Sequence, residues 1–119
     1  MHFKTTLMDV FSNYTLQRTR EVIGLATGDL SRRLSIRQLA REVGVNSRTL
    51  QDSFKFLYGK TIFAYVQALR IAQAKELLET TDLTTEEIAW SCGYREASNF
   101  SLAFKKTTGC WPGAWRKQK

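Results

Sequence analysis

Proline occurs once in this chain, at Pro112, histidine once, at His2, and cysteine twice, at Cys92 and Cys110. With so little proline and no low-complexity tract, nothing punctuates the chain into strands and long loops, and an all-α reading follows. The two cysteines belong to no CxxC or histidine-flanked arrangement, which argues against a zinc site or a disulfide framework and fits a reduced, cytoplasmic protein with idle or buried thiols. No Ser/His or Cys/His pair can be assembled around the lone histidine, and neither a glycine-rich phosphate loop nor metal-ligand spacing is present. Catalysis, a cofactor, a bound metal and a small-molecule site are therefore not expected. No apolar run approaches the roughly 18 residues of a membrane span, and the N-terminus lacks the plan of a signal peptide, so no membrane association is expected. Acidic residues are also in deficit: 11 Asp and Glu face 18 Lys and Arg, leaving a net charge of +7. That balance points to a polyanionic partner such as nucleic acid.

What the chain does contain is an internal repeat. Leu39-Ala40, Gly44, Phe54-Lys55 and Gly59 are echoed by Ile88-Ala89, Gly93, Phe104-Lys105 and Gly109. The copies start 49 residues apart and agree in every interval except one, where the second has a single extra residue between its first glycine and its Phe-Lys pair. Each copy has the form of a short amphipathic helix, a glycine turn, a second amphipathic helix and a closing glycine. This is the plan of a helix-turn-helix, whose second helix is shaped to lie in a DNA major groove.

Local signals agree with the repeat. Ser35-Ile36-Arg37-Gln38 has the form of a capping box at the start of the first copy, and Thr84-Thr85-Glu86-Glu87 repeats that chemistry in the second. Both exit glycines are free to take positive φ. Between the copies, Ile62 to about Glu79 contains neither glycine nor proline and reads as one helix. It would be roughly 27 Å long at about 1.5 Å per residue, close to the ~34 Å of one DNA turn once the bodies at its ends are added. Its apolar residues Val66, Leu69, Ile71, Leu77 and Leu78 lie on more than one side, as expected of a connector packed by two lobes. Trp115 follows Gly109 by the same six residues that separate Tyr65 from Gly59, so the repeat extends past the closing glycine, with Pro112 at a first helical turn. Ahead of the repeat, a helical pattern runs from about Thr15 to Gly28. Residues 1–14 read as a leader or linker remnant and 15–119 as one DNA-binding domain, with helix-turn-helices at about 37–58 and 85–108.

In the first candidate recognition helix, about Ser47 to Leu57, the stripe Leu50, Phe54 and Leu57 points inward and leaves Arg48, Gln51, Asp52 and Lys55 outward. Arg can bond guanine O6 and N7, Gln can pair with adenine, and Asp can accept from a cytosine amino group. Lys55 is placed for phosphate, and Ser47 and Thr49 serve either as helix-start residues or as phosphate ligands. In the second, about Arg95 to Lys106, Ala97, Phe100 and Phe104 form the inner stripe. Arg95, Ser98, Asn99, Leu102, Lys105 and Lys106 remain outward, with Leu102 suited to a thymine methyl. The second helix is poorer in strong base readers and is expected to supply shape and phosphate contacts. Phe54, Phe100, Phe104, Trp111 and Trp115 are expected in the core, as is Cys92. Any solvated helix shows a polar stripe opposite an apolar one; here the stripes coincide with a duplicated, capped, glycine-turned unit.

These residues, with Arg70 and Ala74 in the joining helix and the closing Pro112-Gly113-Ala114-Trp115-Arg116, resemble the DNA-binding domain of AraC/XylS-type transcriptional regulators over roughly Thr15 to Arg116. The resemblance implies about seven helices in two homeodomain-like helix-turn-helix lobes joined by a long central helix. It implies binding to two successive major-groove segments of double-stranded DNA, and transcription activation, usually through contacts with RNA polymerase. By position, base readers fall on Arg48, Gln51 and Asp52 in the first lobe and on Ala97, Ser98 and Leu102 in the second. Asp52 and Leu102 stand where some members have Arg, and Trp115 replaces the usual tyrosine. A different reading of the charge is a helical protein-interaction module whose basic face meets an acidic protein.

Overall fold

The computed structural model describes residues 11–118, which are helical with no strand among them. They form two compact units. The first contains α1 (Asn13–Thr27), α2 (Ile36–Val43), α3 (Ser47–Tyr58) and the first turn of α4 (Ile62–Thr80). The second takes residues 30–33, the rest of α4 from Val66, α5 (Thr85–Ser91), α6 (Ala97–Thr108) and α7 (Pro112–Lys117). Seven helices are thus seen among the described residues, and α4 is continuous, as its lack of glycine and proline predicts.

Each helix boundary has a local cause. Ser12 caps α1 by accepting a hydrogen bond from the Thr15 amide at 3.0 Å. The expected leader therefore stops short of Asn13, and its residues up to 10, His2 included, lie outside the described residues. Thr84 and Glu87 form a complete capping box on α5. The box expected on α2 is only half made. Ser35 Oγ accepts from the Gln38 amide, but the Gln38 side chain donates instead to Glu42 one turn on, at 3.0 Å. Gly44, Gly59, Gly93 and Gly109 all take positive φ, so the repeated glycines close the turns that their spacing suggested.

In the first unit α1 packs on both α2 and α3, and these pack on each other. Leu16, Val22, Leu39, Val43, Leu50 and Phe54 are all buried. In the second unit Ile71, Ala74 and Leu78 of α4 join Ile88, Ala89, Cys92, Phe100 and Phe104 in one cluster. The repeat also reaches into aromatic packing, since Phe54 meets the edge of Tyr65 at 5.6 Å and Phe104 meets Trp115 at 5.7 Å. One core assignment is corrected: Trp111 is 46% exposed. As the residue before the first turn of α7, it is held at the protein surface by its backbone position, and no neighbour covers its ring fully.

Three arginines are committed to the fold. Arg18 Nε donates to the Val43 carbonyl at 2.7 Å. Arg70, 8% exposed, donates to the carbonyls of Leu30 and Arg32. Arg116 donates to those of Leu78, Thr81 and Leu83. Each guanidinium thereby satisfies carbonyl groups at helix ends or in loops that have no helical partner. Gly93 completes the Arg70 site, because a Cβ there would run into the Leu30 carbonyl oxygen and the Arg70 guanidinium. Arg70→Met, which keeps the stem and removes both charged donors, is expected to lower the unfolding free energy by about 2–4 kcal/mol in urea titration. A change under about 0.5 kcal/mol would show that the clamp adds nothing to stability.

Candidate nucleic-acid interface

The face of α3 is set by what it buries. Leu50, Ser53 and Phe54 are inside, and the Ser53 hydroxyl meets Thr19 of α1 at 2.7 Å. Arg48, Gln51, Asp52 and Lys55 are consequently all exposed, as their spacing predicts. Arg48 Nε and Asp52 Oδ2 lie 3.3 Å apart with side chains 87% and 55% exposed. Such a pair is worth under about 1 kcal/mol in water, so at little cost Arg48 can exchange Asp52 for a base or phosphate and Asp52 can exchange Arg48 for a base amino group. The helix begins on Asn46, whose side chain accepts from the Thr49 amide at 2.8 Å. Ser47 and Thr49, half-buried, are therefore first-turn residues and the cap itself is Asn46, a residue type with a strong N-cap preference. Gln51, Asp52 and Lys55 also line a cleft of about 370 Å³ shared with Ile36, Thr61, Ile62 and Phe63.

In α6 Phe100 and Phe104 are fully buried, and Ser98, Asn99, Leu102, Lys105 and Lys106 are exposed. Leu102 is 58% exposed. Two expectations change. Arg95 precedes the helix, which starts at Ala97. Ala97 is half-buried against the core cluster, as its place in the inner stripe requires, and its methyl offers less to a base than the resemblance implied. Glu96 occupies the N-cap position without a side-chain hydrogen bond, so α6 starts less firmly than α3. Leu102, Lys105 and Lys106 line an apolar cleft of about 490 Å³ with Trp111, and Lys105 Nζ sits 5.1 Å from the centre of the Trp111 ring. Cys92 is fully buried in the core cluster, and that burial pushes its thiol above the ordinary value.

Two copies of a capped helix-turn-helix, each with a buried inner stripe and an exposed face rich in cations and amides, define a tandem helix-turn-helix protein. A family model described as a helix-turn-helix domain matches residues 39–118. The chain belongs to this family, in its AraC type, and thus to a family of transcription regulators and not of enzymes. It is 31% identical over 98 residues to the HTH-type transcriptional activator RhaR of Klebsiella pneumoniae, a match covering 82% of this chain and 35% of that protein. The chain thus spans about a third of the length of that relative. Among solved structures it resembles the DNA-binding domain of the global transcriptional factor AdpA in complex with a target DNA, at TM-score 0.80 and 29% identity over 85% of this chain and 91% of that one. A transcriptional regulator of Chromobacterium violaceum with an AraC-type DNA-binding domain gives TM-score 0.78 and 26% identity, covering 90% of this chain and 96% of that one. No helix among the described residues is long and apolar enough to cross a membrane.

The difference in capping is measurable. Asn46→Ala should cost about 1 kcal/mol in thermal or urea unfolding, whereas Glu96→Asp, which supplies a short carboxylate where none now bonds, should add about 0.5–1 kcal/mol. Loss of stability in Glu96→Asp would contradict the reading of an uncapped α6.

Proposed function

We propose that the chain binds double-stranded DNA sequence-specifically as the reading module of a transcription regulator acting in the cytoplasm. The observation that carries this is the duplicated helix-turn-helix in which burial of the inner stripe leaves Arg48, Gln51, Asp52 and Lys55 exposed on one second helix and Ser98, Asn99, Leu102, Lys105 and Lys106 on the other. These are the residue types that contact base edges and phosphates. The AdpA domain, solved on a target DNA, lends the fold a DNA-bound precedent. RhaR is named a transcriptional activator, which supports activation by this chain; RNA polymerase as its protein partner rests on what the AraC/XylS resemblance implies. The module extends over the expected 15–119 together with the start of α1 at Asn13 and its cap Ser12, and each lobe takes one of two successive major-groove segments.

Within that scheme Arg48 and Gln51 supply the strongest base contacts, Asp52 takes a cytosine amino group or holds Arg48 in place, and Lys55, Lys105 and Lys106 meet phosphates. Ser47, Thr49 and Arg95 lie at the rims of the two faces and reach only backbone oxygens. Ser98 and Asn99 offer short polar groups to the second segment.

Selection of bound duplexes from a random pool at near-physiological salt tests the proposal. Enrichment of a bipartite site with elements about ten base pairs apart is expected. Salt-sensitive binding without enrichment would reduce the activity to non-specific attraction, and binding to acidic protein but not DNA would favour an interaction module instead. On the enriched duplex, Arg48→Ala should lose about 1–3 kcal/mol and relax preference at one base position, while Lys55→Ala should weaken all sequences alike and lower the salt slope by about one unit. An unchanged preference in Arg48→Ala would remove that residue from the readers.

A further inference from the structure

The two clefts described above share three equivalent positions of the repeat. Aligned on the Phe-Lys pair and the closing glycine, Asp52 corresponds to Leu102, Lys55 to Lys105 and Thr61 to Trp111, and all six line their respective clefts. The lysine is kept at the rim while its two neighbours change from polar to apolar. The exchange at the third position has a cost. Thr61 caps α4 by accepting from the Ala64 amide at 3.0 Å, whereas Trp111, in the same position before α7, makes no cap hydrogen bond. A threonine there would satisfy an open amide at the helix start. The chain instead places a half-exposed indole beside Leu102, with the Lys105 ammonium over its face.

Resting on the DNA-reading function above, we propose that Leu102 and Trp111 form a thymine-methyl site in the second lobe. In a major groove the C5-methyl of thymine is the apolar feature that tells T·A from the other pairs. Leu102 and the indole edge supply an apolar floor for it. At about 490 Å³ the cleft exceeds a methyl, so it also takes the flanking deoxyribose. Lys105 and Lys106 stand at the rim, where the phosphates on either side of that sugar lie. The positive rim and apolar floor together match a thymidine nucleotide in duplex DNA and not an acidic protein surface, which would leave the floor uncovered. The second lobe is then a reader of thymine in its own right and does more than hold the backbone.

Deoxyuridine, which removes that methyl and nothing else, supplies the test. Each thymine of the second element in the duplexes enriched by the wild-type chain is replaced in turn. One position is expected to weaken binding about fourfold, the worth of one buried methyl. That difference should disappear in Leu102→Ala and in Trp111→Thr, the latter restoring the cap that Thr61 makes and so guarding against loss of the fold. Lys105→Met should keep the thymine-to-deoxyuridine difference while lowering the salt slope. A second element without thymine, replacements without effect at every position, or an undiminished effect in both variants would overturn the proposal while leaving the DNA-reading function intact. Failure to enrich any duplex would overturn both.

Discussion

Everything at the proposed interface depends on one buried ring in each lobe. Phe54 and Phe104 are 1% and 0% exposed, and burying such a side chain is worth about 1.5–3 kcal/mol. The Arg48–Asp52 pair on the opposite face, exposed to water, is worth under about 1 kcal/mol. The ring therefore sets the rotation of the recognition helix, and the polar face follows from it. Because neighbours on a helix lie about 100° apart, fixing Phe54 inward fixes Lys55 outward and carries Leu50 in and Gln51 out. Tyr65 and Trp115 close the same ring from the far side of the αL glycine, so the closing glycine, the ring and the reading face form one linked constraint.

This linkage is why so much was legible in the sequence. Phe-Lys-x3-Gly states both the inward and the outward residue and the turn that follows, and its recurrence marks the two lobes in the sequence. The outward sets on α3 and α6 were read correctly, as were Cys92 in the core and the capping box at Thr84. The arginines were not. Arg70 and Arg116 stood out only through the family likeness, and Arg18 carried no signal, because a cation is assigned to solvent unless something specific pairs it. Their partners are main-chain carbonyls distant in sequence, and no residue type advertises a carbonyl left open by a helix end. Because main-chain carbonyls hold these three guanidinium groups, the net charge overstates the cations free to meet a ligand.

Trp111 illustrates the opposite failure. Aromatic residues at helical spacing usually turn inward, and the repeat placed Trp111 beside a helix start without saying which way its ring points. The direction depends on the chain before α7 and on Lys105, which lies over the indole. Gln38 departs for a related reason: its side-chain N–H donates to Glu42 one turn further on, and no bond from the Ser35 amide to its oxygen completes the box. The two lobes are thus alike in backbone and ring packing, and they differ where a ligand would touch them. The first cleft mixes polar and apolar lining, with Asp52 and Thr61 where the second, almost wholly apolar, has Leu102 and Trp111, and a lysine is common to both.

The central claim is that the faces opposite Phe54 and Phe104 are the ones that meet DNA. Cross-saturation from an enriched duplex to the protein amides tests it most directly. The account predicts that signal loss concentrates on the outward positions of α3, from Arg48 to Lys55, and of α6, from Ser98 to Lys106, with the α4 interior unaffected. Losses confined to other surfaces, with both recognition helices silent, would contradict it.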